Sequence, residues 1–245
     1  MDNSLLVSLS QQLAAYRAMD VIANNLANAS TPGFKREAAK FEEYVARMRP
    51  AEDQSGPQSV SFVRDAGILR DTSQGVIQQT GAPFDLAIQG KGFFVVQTPQ
   101  GLRYTRDGHF SLDANGQIVT TDGYPVQGDG GAVTVTADDG DIQIGADGTV
   151  SGKTGQLARL RLVEFADPAG LTKEGANLYA TGQPAVTAAD STMRQGMLES
   201  SNVQPVVEMS RMIEVMRAYE ATATLSSKQQ ELQRQAVEKL GAYPN

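Results

Sequence analysis

The single histidine of this 245-residue chain sits in Asp107-Gly108-His109-Phe110-Ser111, where a carboxylate, an imidazole and a hydroxyl fall close together. Those are the groups of a nucleophilic relay, in which the carboxylate orients the imidazole and the imidazole takes the hydroxyl proton. Alternate residues of a strand share a face, so Asp107, His109 and Ser111 would stand side by side and parallel rather than converge. The pattern reads as a turn entering a solvated strand face. A second cluster, Asp138, Asp139 and Asp141 with Asp147, offers the oxygens a hard cation wants, but no Glu closes the run as a helix–loop–helix calcium site requires. These acids are expected to be solvated turn carboxylates. Gly90-Lys91-Gly92 lacks the longer Gly-rich spacing and the following helix of a phosphate loop, and is expected to be a tight hairpin. Glycoside hydrolysis needs two convergent carboxylates, and nothing in the spacing of the Asp residues pairs them. With one His and no Cys, a zinc hydrolase site has too few ligands. No catalytic, metal or cofactor residue is assigned, and the chain is read as non-enzymatic.

The net charge is −7, concentrated in the middle: residues 76–190 carry roughly twice as many acidic as basic side chains. An acidic middle argues against a phosphate-backbone partner, so nucleic acid is not an expected ligand. Residues 1–30 lack a basic start followed by an uninterrupted apolar run, because Gln11, Gln12, Arg17 and Asp20 break the pattern. No stretch has the length of a membrane span. If the chain leaves the cytoplasm, export without a cleaved signal peptide is the expectation.

The elements that must carry function are at the two ends. Leu5, Leu9, Leu13, Tyr16, Met19, Ile22 and Leu26 recur at steps of three and four, the spacing of one helix face. This helix should begin near Asp2 to Ser4 and stop before Pro32-Gly33. Met209, Met212, Ile213, Met216, Tyr219 and Ala223 form a second stripe, continued more weakly by Leu225, Gln229, Leu232, Ala236 and Leu240. Pro205 suits a first helical turn, Ser201 and Gln204 have capping-box spacing, and no Gly or Pro interrupts residues 205–239. A helix of that length runs about 50 Å, more than a domain of this size needs for its own core. Asn24, Asn25 and Asn28 are poor helix-interior residues; they mark either a fraying end or amides that fix register in a packed interface.

Between the helices, residues 36–75 read as an extended connector with short local structure. Phe41, Tyr44 and Val45 are expected in a short helix, Pro50 to Pro57 in an exposed loop, and Ser59 to Arg64 in a strand. Residues 76–190 read as a central β-rich domain. Asp107-Gly108, Asn115-Gly116, Asp122-Gly123, Asp129-Gly130-Gly131, Asp139-Gly140 and Asp147-Gly148 punctuate short apolar runs, and Leu157 to Phe165 supplies a further alternating strand. This spacing leaves no room for helical crossovers, so the strands should be antiparallel. The expected fold class is α+β: terminal helices (1–35 and 191–245) packed as a paired α-helical domain, around a central all-β domain of short antiparallel strands.

Three segments carry a family resemblance. Met19-Asp20-Val21-Ile22-Ala23-Asn24-Asn25-Leu26-Ala27-Asn28 with Thr31-Pro32-Gly33-Phe34-Lys35 resembles the N-terminal signature of bacterial flagellar rod, hook and hook-associated axial proteins. Leu86 to Val95, containing Gly90, Gly92, Phe93 and Phe94, with Tyr104 to Ser111, looks like the core shared by hook and rod members. Gly196 to Val203 followed by Glu208-Met209 and Met212 to Glu220 completes the match. The Met1-Asp2-Asn3-Ser4-Leu5 opening and the length are similar to a proximal rod member, with the distal rod member as runner-up. The resemblance implies a periplasm-spanning rod of the flagellar basal body, built by helical assembly with copies of itself and other rod proteins and supplied by the type III export apparatus, with the helices inside and the β domain outside. A β-rich adhesin or carbohydrate-active enzyme is the alternative from another class, and it leaves both terminal stripes unexplained.

Overall fold

The computed structural model describes residues 2–48, 58–175 and 177–241, and they divide into two units. One unit is drawn from three stretches, Met1–Ala27, Glu37–Arg70 and Gln204–Asn245; the other comprises Asn28–Arg36 and Asp71–Val203.

The first unit contains helix α1 (Asp2–Ala27), strands β1 (Glu37–Met48) and β2 (Gln58–Arg70), and helix α2 (Pro205–Gly241). Both helices fall where apolar periodicity and Pro205 place them. Pro205 leads α2 with its missing N–H at no cost, whereas the Ser201 hydroxyl accepts from Val203 N–H rather than capping the helix. The helix expected across Phe41, Tyr44 and Val45 is not formed. These residues lie in β1, which pairs antiparallel with β2 from Glu37 opposite Arg70 to Met48 opposite Gln58. β-branched and aromatic side chains fit a pleated surface, and a long partner strand supplies a full ladder that a short isolated helix cannot match. The register shifts between Lys40 and Phe41, opposite Asp65 to Gly67, where Gly67 takes φ +109° and its N–H bonds the Asp65 carboxylate at 2.8 Å. The loop expected at Pro50 to Pro57 lies outside the described residues, as do the side chains of Asp2 to Ser4 and Leu240.

The second unit is made of short strands, and every strand pairing in it is antiparallel. Its strands include β3 (Ile77–Gln79), β4 (Leu86–Gln89), β5 (Phe93–Thr98), β6 (Gly101–Thr105), β7 (Phe110–Leu112) and β8 (Ile118–Thr120). A six-stranded sheet runs in the order Thr172–Lys173, Leu178–Ala180, β6, β5, Leu162–Glu164, Val186–Thr187. β5 is apolar at four consecutive positions because both its faces are covered. Phe94 and Val96 enter a large cluster with Leu86, Ile88, Phe110 and Ile118; Phe93 and Val95 enter a second with Val163, Phe165 and Tyr179. Phe94 meets Phe110 edge-on at 5.0 Å.

Two local expectations are corrected, and one glycine has its own reason. Gly90-Lys91-Gly92 is not a hairpin: β4 pairs with Thr192–Gln195, while β5 pairs with β6 and Leu162–Glu164, so the glycines form a bend that passes the chain between two sheets. Leu157 to Phe165 is not one strand but two, Gly155–Arg159 and Leu162–Glu164, in different sheets. Gly108 has no positive φ; its glycine is required because a Cβ would stand 1.7 Å from the Leu86 carbonyl oxygen.

Candidate assembly surface

The groups that first suggested chemistry are used for structure. His109 Nδ1 lies 2.7 Å from Oδ1 of Asp85, not against Asp107, whose carboxylate instead accepts the His109 backbone N–H at 3.0 Å. Burial pushes the Asp107 carboxyl above its usual range. Ser111 is exposed on β7. Asp139 departs from the solvated reading. It is buried and accepts from the Thr136 hydroxyl at 2.7 Å, the Thr136 N–H at 2.8 Å and the Thr154 hydroxyl at 2.9 Å, bonds that hold its carboxyl below the usual range. Asp138 and Asp141 are exposed, and Asp147 accepts from the Thr149 hydroxyl. Among the described residues, no group of three or more acidic or His side chains is placed to hold a metal.

The signature residues converge inside the β-rich unit. Gly33 adopts φ +67°, and a Cβ there would meet the Arg106 backbone at 2.5 Å; its N–H reaches the Glu199 carbonyl at 2.7 Å. Pro32 O accepts from Asn177, Asn28 Oδ1 accepts from the Thr31 hydroxyl, and Phe34 is buried with the Lys173 ammonium 4.1 Å above its ring. Lys35 is buried with Glu199: its ammonium donates to Oε1 at 2.5 Å and to the Ser73 carbonyl at 2.7 Å. Glu199 Oε1 also accepts Gly75 N–H at 2.9 Å, and Oε2 faces Arg106 Nε at 3.5 Å without a hydrogen bond. Arg106 donates to the carbonyls of Gly90 and Gly92 at 2.7 and 2.6 Å and lies 5.6 Å from the centre of the Phe93 ring. Burial lowers the affinity of Lys35 and Arg106 for their protons, and the Glu199 carboxylate opposes that shift in both. The bend at Gly90 and Gly92 thus presents two carbonyls to a buried cation, and the Gly92 N–H is taken by the Ser191 hydroxyl.

In the helical unit the apolar stripes divide. Ile22 is buried, while Leu5, Met19, Met212, Tyr219 and Ala223 are half-buried. Leu9, Leu13, Tyr16 and Leu26 on α1 and Met209, Ile213 and Met216 on α2 are exposed, with Leu13 and Tyr16 above 60%. Leu6 and Val206 join this outward set, although they fall off the main spacing. Of the amides, Asn24 is exposed and Asn25 is fully buried, bonded to Glu37 and Glu208.

Three family models match in chain order: "Flagella basal body rod protein" over residues 5–35, "Flagellar hook protein FlgE/F/G D1 domain" over 87–152, and "Flagellar basal body rod FlgEFG protein C-terminal" over 194–238. The chain is 44% identical to the flagellar basal-body rod protein FlgF of Caulobacter vibrioides, over 98% of this chain and 99% of that one. It belongs to the flagellar basal-body rod protein family. The FlgF of Mesorhizobium japonicum is 36% identical over 99% of both chains, and the FlgG of Buchnera aphidicola subsp. Schizaphis graminum is 38% identical over 88% of this chain and 92% of its own. These relatives carry the names of rod proteins, which are structural rather than catalytic.

For this rod-family chain, the matched segments are also the segments that its buried polar groups join. Lys35, Arg106 and Glu199 come one from each model's span, as their positions within 5–35, 87–152 and 194–238 show. Sequence reasoning quoted all three residues in the motifs without pairing them. No local pattern pairs them: Lys35 and Arg106 stand beside other charges and Glu199 beside Leu and Ser, and only the fold brings the three together. No described helix is long and apolar enough to cross a membrane.

Proposed function

We propose that this chain is a subunit of the proximal rod of the flagellar basal body, polymerising helically through its terminal helices into part of the drive shaft and export channel. The FlgF relatives support the proximal position by covering nearly the whole chain at up to 44% identity; the distal rod, through the FlgG relatives, is the second reading. One observation carries the assembly mechanism: both helices turn Leu, Ile, Met and Tyr side chains outward. Full burial of an exposed side chain of this kind is worth about 1.5–3 kcal/mol, and these, already about half covered, gain part of that, so a contact between subunits needs several of them. In this reading α1 and α2 pack as a pair in the inner tube. A helical array follows when these contacts are heterologous and do not close on themselves. The partners are copies of this chain, other rod proteins and the type III export apparatus that delivers it to the periplasm.

Replacing Ile213 and Met216 together by Asp puts two charges into that contact. The expected outcome is loss of the chain from isolated basal bodies, with amide protection across residues 85–165 unchanged. Normal incorporation of the double variant would reject the helical surface as the site of assembly.

A further inference from the structure

The helical unit contains a polar junction that the exposed apolar side chains do not explain. Asn25, in the last turn of α1, accepts the Glu37 N–H at 2.9 Å, donates to the Glu37 carbonyl at 2.7 Å and donates to Glu208 Oε2 at 3.0 Å. Glu208 is 1% exposed in the first turn of α2, where unpaired backbone N–H groups favour a negative charge, and its other oxygen takes Arg211 at 2.7 Å. The Glu37 carboxylate in turn holds Arg70, directly opposite it at the base of the β1–β2 pair, at 3.0 Å. A primary amide suits this place because it presents an acceptor and two donors on one plane.

We propose that Asn25, Glu37 and Glu208 form a register latch: they fix α1, the β1–β2 pair and α2 against one another, so that the outward apolar side chains of both helices form one assembly surface only when all three segments are docked. The inference rests on the rod-assembly reading and deepens it. Apolar stripes repeat at each turn, so a slip by one turn replaces Leu with Leu and is weakly opposed. A buried amide bonded to a single carboxylate has no equivalent one turn away, the role a lone buried Asn plays in coiled coils. Because Glu208 lies 183 residues beyond Asn25, the latch closes only with both ends of the chain in place.

The test is incorporation of full-length variants into basal bodies, with amide protection across residues 85–165 as the check that the β-rich unit has folded. Asn25→Asp keeps the shape but removes both donors and sets a carboxylate against Glu208; incorporation should fall at least tenfold. Adding Glu208→Gln in the same chain replaces the like charge with a donor to the new carboxylate and should relieve part of that loss, the Glu37 carbonyl still lacking its donor. Normal incorporation of N25D overturns the latch, and so does a loss that E208Q does not relieve. The Ile213 and Met216 double variant separates the two ideas: its exclusion alongside normal N25D removes the latch alone, whereas its normal entry removes the assembly reading.

Discussion

The two units solve the problem of stability in opposite ways. The β-rich unit buries Phe, Val, Leu and Ile in two clusters and satisfies its interior charges with one another. The helical unit buries Val21 and Ile22 together with Asn25, Glu37 and Glu208, while leaving Leu9, Leu13, Tyr16, Met209, Ile213 and Met216 at the surface. The β-rich unit keeps most of its large apolar side chains inside around a few buried charges; the helical unit leaves many of its own outside around a polar junction. Under the proposed rod-assembly reading, the helical unit is the one that neighbouring subunits complete.

The largest effect on stability is expected in the β-rich unit. Replacing Glu199 by Leu leaves Lys35 and Arg106 buried without their counter-charge, a change worth about 3–5 kcal/mol. Denaturant unfolding of the full chain should show the loss in the β-rich unit's transition.

A smaller effect depends on pH. Asp139 is held below the usual Asp value of 3.8 by the Thr136 hydroxyl and N–H and the Thr154 hydroxyl. Its contribution to stability is therefore complete above that value and disappears as pH falls through the depressed one. Asp113, bonded by Gln117 and Asn115 N–H groups, and Asp147, bonded by the Thr149 hydroxyl, act in the same direction. Thermal melts between pH 5 and pH 2 should show the β-rich unit losing stability at the acid end, and Asp139→Asn should flatten that slope.

The smallest effect on stability belongs to the helical unit. Leu13→Ser removes an exposed side chain and should change the stability of the free chain by no more than about 0.5 kcal/mol, the range of ordinary surface substitutions. Yet it should lower incorporation into basal bodies. A large destabilisation of the free chain would mean that the α1 stripe packs within the molecule.

How much of this was legible follows from what periodicity records. Both helices were readable because Leu5 to Leu26 and Met209 to Ala223 repeat at helical spacing and Pro205 marks a start. The β-rich unit was readable from its Asp-Gly and Asn-Gly turns. Of the β1–β2 pair only Ser59 to Arg64 was, inside β2; β1 was not, because Phe41, Tyr44 and Val45 fit either period and only their partners across the ladder decide between them. The hairpin expected at Gly90-Lys91-Gly92 failed for the same reason: local turn chemistry cannot say that β4 finds its partner in Thr192–Gln195. The stripes located the apolar surface but not its division into inward Ile22 and outward Leu13, which depends on how the helices are covered. Asn25 was recognised as an oddity in a helix, and Glu208, its partner far along the chain, carried no local sign.

Amide hydrogen exchange on the free full-length chain and on the same chain in purified basal bodies tests most directly whether the helical unit is completed by its neighbours. The account predicts strong protection across residues 85–165 in both states, with Leu5 to Leu26 weakly protected when free and strongly protected after assembly. Strong protection of Leu5 to Leu26 in the free chain, unchanged on assembly, would contradict it.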